Sequence, residues 1–446
     1  MTSVKLAHRP LALCFLVLTL TFPSPAAAQV PLTLPAAIDR ARAQNPDAGG
    51  AAAAEREAAQ RVSQARAGYL PRVELIESWQ RGNQPVFVFS SLLAQRQFTS
   101  AGFAIDALNH PEPLDNFRSA VTVEQSVFDG ATKANIAAAG IGQAMAAANR
   151  LMVDQELAAS VTSAFGRVLV ASAAAQAAAA AVETARADRE LAGNRRNAGL
   201  VTDADVLHLD VYVSRTREMQ IRAASDERIA RAQLNQLMGE PLDAVFLLDR
   251  APAPSIIGGT DLGSLEIEAL RNRPDVQLAA LQEQLAGAIQ SAARAAFLPQ
   301  VTLQGGWEFN GGGWNSRASS WVVGAVTRIN VFRGFADAAR LNETREQAGR
   351  RALEHEKART GARLDVHIAV SRLEAARASE AVSRAAVEHA RESQRIIRDR
   401  YEAGLADVTS LLRAAEVVVQ SEAQQTAAQV AVLTETAALE RTLGRR

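Results

Sequence analysis

The sequence predicts a fold that is mainly α with a β-barrel part. We expect long antiparallel helical hairpins, and two β-hairpins (four strands) that each chain contributes to a shared transmembrane β-barrel. Three observations predict this fold. Residues 334–403 contain no proline and are rich in good helix formers. Short motifs recur in the same order in both halves of the chain. Four stretches alternate apolar and polar residues, as half-buried strands do.

The N-terminal residues 1–28 are interpreted as a signal peptide. Lys5 and Arg9 provide its basic start, and residues 11–20 are apolar. Three alanines at residues 26–28 form a small-residue cleavage site. The apolar run is too short for a stable membrane anchor, which needs about 20 residues. The mature chain is therefore expected to be exported.

The composition excludes several functions. The only cysteine, Cys14, lies in the signal segment, so the mature chain is expected to have no disulfide and no thiolate metal site. Leu13 stands where a lipid-attachment motif needs a small residue, which argues against a lipid anchor. With 48 basic and 48 acidic residues the net charge is zero, which argues against nucleic-acid binding. No catalytic constellation, metal site or cofactor motif is recognisable, so an enzyme is not expected.

The mature chain is predicted to be a tandem duplication. A first repeat covers residues 29–238, a connector rich in Pro and Gly covers residues 239–263, and a second repeat covers residues 264–446. Three landmarks recur in order. Asn45-Pro46-Asp47 matches Arg273-Pro274-Asp275, and Phe128-Asp129-Gly130 matches Phe332-Arg333-Gly334. Between them, Ala65-Arg66-Ala67 and Leu70-Pro71 match Ala293-Arg294-Ala295 and Leu298-Pro299.

Each repeat is predicted to contain a short helix, two strands, a long helix, a turn and a second short helix. The two short helices together match the long one in length, which predicts that they stack end to end beside it. The predicted helices are 35–67, 131–198 and 204–238 in the first repeat, and 264–296, 334–403 and 408–443 in the second.

The four predicted strands suit a membrane-spanning barrel. After residue 20 no apolar run appears long enough for a transmembrane helix, so membrane passage requires a closed barrel. Four strands are too few to enclose water, so closure needs other copies of the chain. Residues 89–116 and 310–318 are interpreted as loops. Hairpins packed on the helices of a soluble protein are the alternative. The tryptophans expected at the membrane interface, near strand ends, are Trp79, Trp307 and Trp321.

With these motifs in place, the chain resembles the TolC-like outer-membrane efflux family over nearly all of its mature length. The resemblance implies a homotrimer in which three chains build one twelve-stranded barrel and a trimeric α-barrel tunnel. It also implies a location in the outer membrane of a Gram-negative-type bacterium, with the tunnel extending into the periplasm. The implied partners are outer-membrane lipid, a periplasmic adaptor (membrane fusion) protein and an inner-membrane pump.

The resemblance assigns roles to the two turns that end the long helices. The turns expected to contact the adaptor contain Gly199, Leu200, Val201, Gly404 and Leu405. The acidic and polar residues expected to form a pore gate are Asp203, Asp205, Asp407 and Ser410. Three copies of an acidic residue at a narrow tip would favour cations. The alternative is that these aspartates only cap helix N-termini.

The second turn departs from the family pattern. Some members carry aspartates after this turn, whereas this chain has Ser410 and Arg413. The predicted function is the outer-membrane exit duct of a tripartite efflux system, a passive channel for small molecules driven by an inner-membrane pump. A type I protein secretion duct and a soluble periplasmic coiled-coil scaffold remain alternatives.

Overall fold

A computed structural model describes residues 31–249 and 261–445. The predicted signal peptide and much of the predicted connector lie outside these residues. The described helices are α1 (Leu34–Gln44), α2 (Pro46–Arg66), α3 (Pro85–Ala94), α4 (Ile105–Asn109), α5 (Gly130–Asn197), α6 (Asp203–Met238), α7 (Leu262–Asn272), α8 (Pro274–Ala295), α9 (Ala336–Glu402) and α10 (Val408–Thr442). The described strands are β1 (Arg72–Gly82), β2 (Leu114–Phe128), β3 (Gln300–Gly313) and β4 (Ser316–Arg328).

The two long helices that the sequence predicts are confirmed. Helix α5 has 68 residues and α9 has 67. At 1.5 Å per residue each is about 100 Å long. Asp129 starts α5 by accepting hydrogen bonds from the amides of Ala131 and Thr132. Such a length exceeds the diameter of a compact domain, so these helices set the long axis of the molecule.

The predicted single helix at the start of each repeat is wrong, because each is two helices. The breaks fall between α1 and α2 at Asn45-Pro46 and between α7 and α8 at Arg273-Pro274. Asn45 and Arg273 both have extended backbone, with φ of −67° and ψ of 130° and 126°. Proline disfavours helical geometry in the residue before it and begins the next helix at a position that needs no amide donor.

The short helices meet end to end at mid-height, as their lengths predicted. The side-chain amide of Asn45 donates to the carbonyl of Leu237 at 2.9 Å, which ties the start of α2 to the end of α6. A Cβ placed on Gly444 would lie 2.6 Å from the carbonyl carbon of Asn272, so the end of α10 abuts the end of α7. Gly444 has a φ of +73°, which only glycine adopts without strain.

The four strands form one antiparallel sheet in the order β1-β2-β3-β4. The loop predicted at residues 310–318 is mostly strand, because β3 continues to Gly313 and Gly313 already pairs with Ser316. A Cβ on Gly311 would lie 2.1 Å from the carbonyl oxygen of Ser316, so the strands approach closely only because residue 311 is glycine. The simple loop predicted at residues 89–116 contains the last part of α3, all of α4 and the start of β2.

Packing between the helices relies on small residues. Three clusters of buried apolar side chains lie along the helices, one of them at the tip with Leu209, Tyr401 and Leu411. Helix α5 packs against α2 and α8 on the sheet side of the molecule and against α6 and α10 on the tip side. A Cβ on Gly166 would come within 2.6 Å of a methyl of Val430, so α5 and α10 are in close contact there.

The expectation that no apolar run after residue 20 is long enough to cross a membrane does not hold for α5 when length and composition alone are considered. By length and composition α5 passes as a helix that could cross a membrane, with a mean hydropathy of 1.5 in its apolar window, and within the described ranges it alone does so. Alanine explains the value, because runs of alanine raise hydropathy without long apolar side chains. The helix is more than twice as long as the roughly 20 residues that a bilayer requires.

Candidate functional site

The turn at each tip ends a long helix with a left-handed glycine. Gly199 has a φ of +77° and Gly404 a φ of +76°. In each turn the following leucine amide closes back on the helix, from Leu200 to the carbonyl of Arg195 at 2.9 Å and from Leu405 to that of Arg400 at 2.8 Å. This is the usual way in which a glycine satisfies the last carbonyls of a helix.

Both tip leucines point into solvent. Leu200 is 67% exposed and Leu405 is 71% exposed, whereas Val201 is half-buried. Because the two leucines hold matching positions in the two turns, the tip has two exposed apolar side chains. The structure thus brings the predicted turn residues to one end of the molecule, where a partner protein could reach them.

Asp205 has a structural role at the start of α6. It accepts hydrogen bonds from the amide of Thr202 at 2.9 Å and from its hydroxyl at 2.8 Å, while the amide of Asp205 donates back to the same hydroxyl. This reciprocal pair is a capping box. The pKa of Asp205 is lowered, chiefly by the Thr202 amide, although the charge of Asp407 opposes the shift.

Asp407 is the N-cap residue of α10 and corresponds to Thr202 of the first turn, whereas Ser410 corresponds to Asp205. Asp407 accepts from the amide of Ser410 at 2.7 Å, and its pKa is lowered by hydrogen bonds from the Ser410 side chain and amide. Ser410 is therefore the hydrogen-bond donor to the Asp407 side chain that caps α10. Asp203 differs from both, because it is exposed and lies 3.3 Å from Arg196 of the same hairpin. The capping alternative thus applies to Asp205 and Asp407, and their charges remain at the tip.

The structure also reveals a contact between the two hairpins that sequence reasoning missed. Arg195, near the end of α5, donates to the carbonyl of Tyr401 at 2.5 Å and to that of Glu402 at 3.2 Å. Its guanidinium also lies over the Tyr401 ring, 5.0 Å from the centroid. A cation at the C-terminus of α9 faces the negative end of the helix dipole. No local signal could identify this contact, because the partners are 206 residues apart.

A second contact between the hairpins lies further from the tip. Asp188 of α5 accepts from Arg398 of α9, with distances of 3.2 and 3.4 Å to its two oxygens. The Asp188 side chain is only 8% exposed. Burial raises the pKa of Asp188, and the neighbouring Arg398 counteracts only part of that shift. The long side chains of Arg195 and Arg398 together link the tip ends of α5 and α9.

At the opposite end of the molecule the sheet has one apolar and one polar face. The register aligns Leu75, Val121, Trp307 and Trp321 across all four strands. Odd-numbered residues continue this exposed, mainly apolar face, including Val73, Trp79, Val123, Leu303, Phe309 and Val323. Towards the end remote from the helices the same face also carries the ion pairs of Arg317 with Glu77 and of Arg81 with Asp115. Even-numbered residues form the other face, which is largely polar and carries an ion pair between Arg118 and Glu308.

The predicted interface tryptophans occupy two levels of the sheet. Trp307 pairs directly with Trp321 in the middle of the strands, so these two do not stand near strand ends as the sequence suggested. Trp79 lies opposite Phe117, four residues further from the helices. At about 3.3 Å per residue the two levels are roughly 13 Å apart. Trp314, which sequence reasoning missed, lies in the β3–β4 turn with its ring 5.7 Å from that of Phe117.

Solved structures share this arrangement of long helical hairpins and a four-stranded sheet. The outer-membrane protein VceC of Vibrio cholerae superposes with a TM-score of 0.76 at 19% identity, covering 92% of this chain and 96% of that one. The outer-membrane channel CmeC of Campylobacter jejuni gives 0.77 at 15% identity, covering 92% and 85%. The open state of the MtrE channel of Neisseria gonorrhoeae gives 0.73 at 20%, covering 93% and 89%. The fold is that of an outer-membrane channel protein.

Sequence comparison identifies the family. The profile described as "Outer membrane efflux protein" matches residues 37–240 and 267–445. Protein CyaE of Bordetella pertussis is 30% identical over 359 residues, which cover 79% of this chain and 71% of that protein. The chain belongs to the outer membrane efflux protein family, and it is an outer-membrane protein whose helices extend into the periplasm.

Proposed function

We propose that three copies of this chain form a passive exit duct of a tripartite efflux system. The observation that carries the proposal is the sheet. Among the described residues, β1 pairs only with β2 and β4 only with β3, so both edges are available to neighbouring copies. Such edges are not tolerated in lipid unless the sheet closes. Three copies supply twelve strands, with the apolar faces towards lipid and the polar faces towards water.

The helices continue the duct below the membrane. In a ring of three copies, α5 and α9 contribute six full-height helices, each about 100 Å long. A soluble coiled-coil scaffold fits less well, because it would leave a contiguous apolar sheet face with Leu75, Trp307 and Trp321 in water. An exit duct gives that face a lipid partner.

The tip is proposed to contact a periplasmic adaptor and, through it, an inner-membrane pump. Leu200 and Leu405 are exposed at the end furthest from the sheet, where an adaptor can cover them. Asp205 and Asp407, repeated around the axis, would form a negative ring that attracts cations and repels anions. Asp203 and Ser410 flank this ring. The contacts of Arg195 and Arg398 between the hairpins are proposed to hold the resting tip narrow.

The test is to extract the outer membrane with detergent, measure the size of the purified particle, and record its conductance in planar bilayers. A heat-sensitive trimer that conducts ions supports the duct. A particle that is water-soluble without detergent, or a monomer without conductance, contradicts it.

Cargo can be tested separately. Disruption of the gene is expected to increase sensitivity to small toxic compounds while leaving the set of secreted proteins unchanged. The reverse result would assign the same duct to type I protein secretion.

A further inference from the structure

The connection between β1 and β2 lies on the polar face of the sheet, at the end remote from the helices. The buried side chain of Gln95, just after α3, donates to the carbonyl of Asp115 at 2.9 Å and to the side chain of Asn116 at 3.0 Å. Asn116 in turn donates to the side chain of Asn310 at 3.1 Å. Asn116 and Asn310 share the even-numbered polar face with Arg118, and both are buried.

The same connection reaches the far edge of the sheet. Arg96 donates to the carbonyl of Ser319 in β4 at 2.9 Å. Helix α3 also contacts β2 and β3. The connection therefore leaves from β1, at one edge, and crosses the inner face to β4, at the other edge. A flexible external loop has no reason to make these contacts, because it would extend into solvent above the strands.

The connection has a small apolar core of its own and an apolar outer surface. Phe98 meets Phe89 edge to face at 4.9 Å and Phe103 at 5.0 Å. Val86 and Ile105 remain 77% and 79% exposed in the single chain. Leu93 and Phe103 of the same segment are also exposed, at 50% and 67%. A concentration of exposed large apolar side chains marks an interaction surface, whereas single ones would not.

We propose that residues 85–113 form an outer plug, in which the connections of the three copies meet on the axis and close the outer mouth of the barrel. This inference rests on the trimeric duct proposed above. When a sheet closes with its polar face inward, elements attached to that face converge towards the axis. The apolar surface around Val86 and Ile105 then packs against the same surface of the neighbouring copies and leaves an apolar constriction that resists water and ions.

The hydrogen bonds of Gln95 are the latch of this plug. They join it to Asp115 and Asn116 at one place, whereas Arg96 reaches β4 at another. Release of the latch would let the segment swing outward about its two ends without unfolding the strands. The duct then has a closure at each end, a charged one at the helical tip and an apolar one at the outer mouth.

Proximity of the three copies is tested by cross-linking. The sole cysteine, Cys14, lies in the predicted signal peptide, so Ile105→Cys gives a mature chain with a single thiol. A short bifunctional maleimide is expected to link chains within the purified trimer. Leu75→Cys, on the lipid-facing side and 70% exposed, is the matched control and is expected to give no links.

A conducting trimer in which Ile105→Cys fails to link overturns the plug and leaves the duct intact. Loss of trimer and conductance in the unaltered chain overturns the duct itself.

Closure is tested by conductance. The comparison is made in a chain whose tip is opened by Arg195→Ala, so that the tip does not limit the current. In that chain Gln95→Ala removes both latch hydrogen bonds and is expected to raise single-channel conductance or open probability severalfold. Gln97→Ala, an exposed glutamine two positions later, is the control and is expected to leave the conductance of that chain unchanged. The heat-sensitive trimer checks that each variant is folded. An intact Gln95→Ala trimer with unchanged conductance overturns the plug, and if that variant does not assemble, the cross-linking result decides.

Discussion

Arg195 and Tyr401 join the two helical hairpins at the tip, since the Nη1 of Arg195 lies 2.5 Å from the Tyr401 carbonyl oxygen and its guanidinium lies over the tyrosine ring. The arginine comes from α5 and neutralises the exposed carbonyls at the end of α9. This contact restricts the distance between the ends of α5 and α9, because the attraction of the guanidinium to the helix end and to the ring weakens when the two helices move apart. The spacing of these helices sets the width of the proposed tip opening.

We expect Arg195→Ala to widen the tip. Loss of the guanidinium leaves the last carbonyls of α9 to water and removes the bond between hairpins, so conductance in planar bilayers should rise. Arg186→Ala is a suitable control, because Arg186 is exposed on the same helix and pairs with Glu183, away from the turn, at 2.8 Å. Equal conductance of the two variants would remove Arg195 from the closure of the tip.

A separate pair of variants distinguishes the charge of Asp205 from its capping role. Asp205→Asn keeps an oxygen that can accept from the Thr202 amide but removes the charge, whereas Asp205→Ala removes both. If the carboxylate forms part of a gate, both variants should raise leak conductance or weaken block by a trivalent cation such as La³⁺. If Asp205 only caps α6, Asp205→Asn should match the unaltered chain. The measurement is the concentration of La³⁺ that halves the current.

Block by cations should persist on acidification until the pH is below the ordinary pKa of an aspartate. The pKa values of Asp205 and Asp407 are both lowered, by hydrogen bonds from Thr202 and Ser410. A lowered pKa means that the charged form persists when an ordinary aspartate, with a pKa of about 3.9, has already taken up a proton. The stabilisation that these caps contribute is present above that value and is lost as the pH falls through the lower folded pKa. Block by La³⁺ that disappears between pH 6 and pH 5, roughly one to two units above the ordinary value, would exclude these carboxylates as the site.

The sequence was sufficient for the parts of the fold that local rules determine. Helix propensity and the absence of proline identified α9, and alternation identified the strands, because each signal is carried by neighbouring residues. The break at Pro46 was missed, although the restriction that proline places on the preceding residue is also local. The helix pattern on both sides of Pro46 concealed it.

The candidate site was predictable only where one turn contains it. Gly199 and Gly404 are recognisable because a left-handed turn after a helix favours glycine. The contacts of Arg195 and Arg398 were not predictable, because their partners come from the other half of the chain. Gln95 was missed for a different reason, because its partners are only 20 and 21 residues away but a glutamine in a polar connection gives no sign that it will be buried against Asn116.

The ion pair between Asp188 and Arg398 should respond unequally to removal of its two members. Arg398→Ala leaves a carboxylate that is 8% exposed without its partner, which costs about 1–3 kcal/mol for an unsatisfied buried group. Asp188→Asn removes the buried charge and leaves Arg398, 39% exposed, able to reach water. The temperature at which the purified trimer dissociates should therefore fall more for Arg398→Ala. The raised pKa of Asp188 predicts that acidification through its folded pKa reduces this difference.

Charge placed on the two faces of the sheet should distinguish lipid from water directly. Trp321 and Val322 are adjacent in β4 and almost equally exposed, at 75% and 67%, but they lie on opposite faces. In the proposed barrel Trp321→Arg puts a charge into lipid, which costs about 2–4 kcal/mol at the bilayer centre, whereas Val322→Arg puts it into the water-filled lumen. We therefore expect Trp321→Arg to reduce the amount of assembled trimer in the outer membrane, and Val322→Arg to assemble normally and change ion selectivity. Equal assembly of both variants, measured by heat-sensitive electrophoresis of membrane extracts, would mean that the odd-numbered face does not meet lipid.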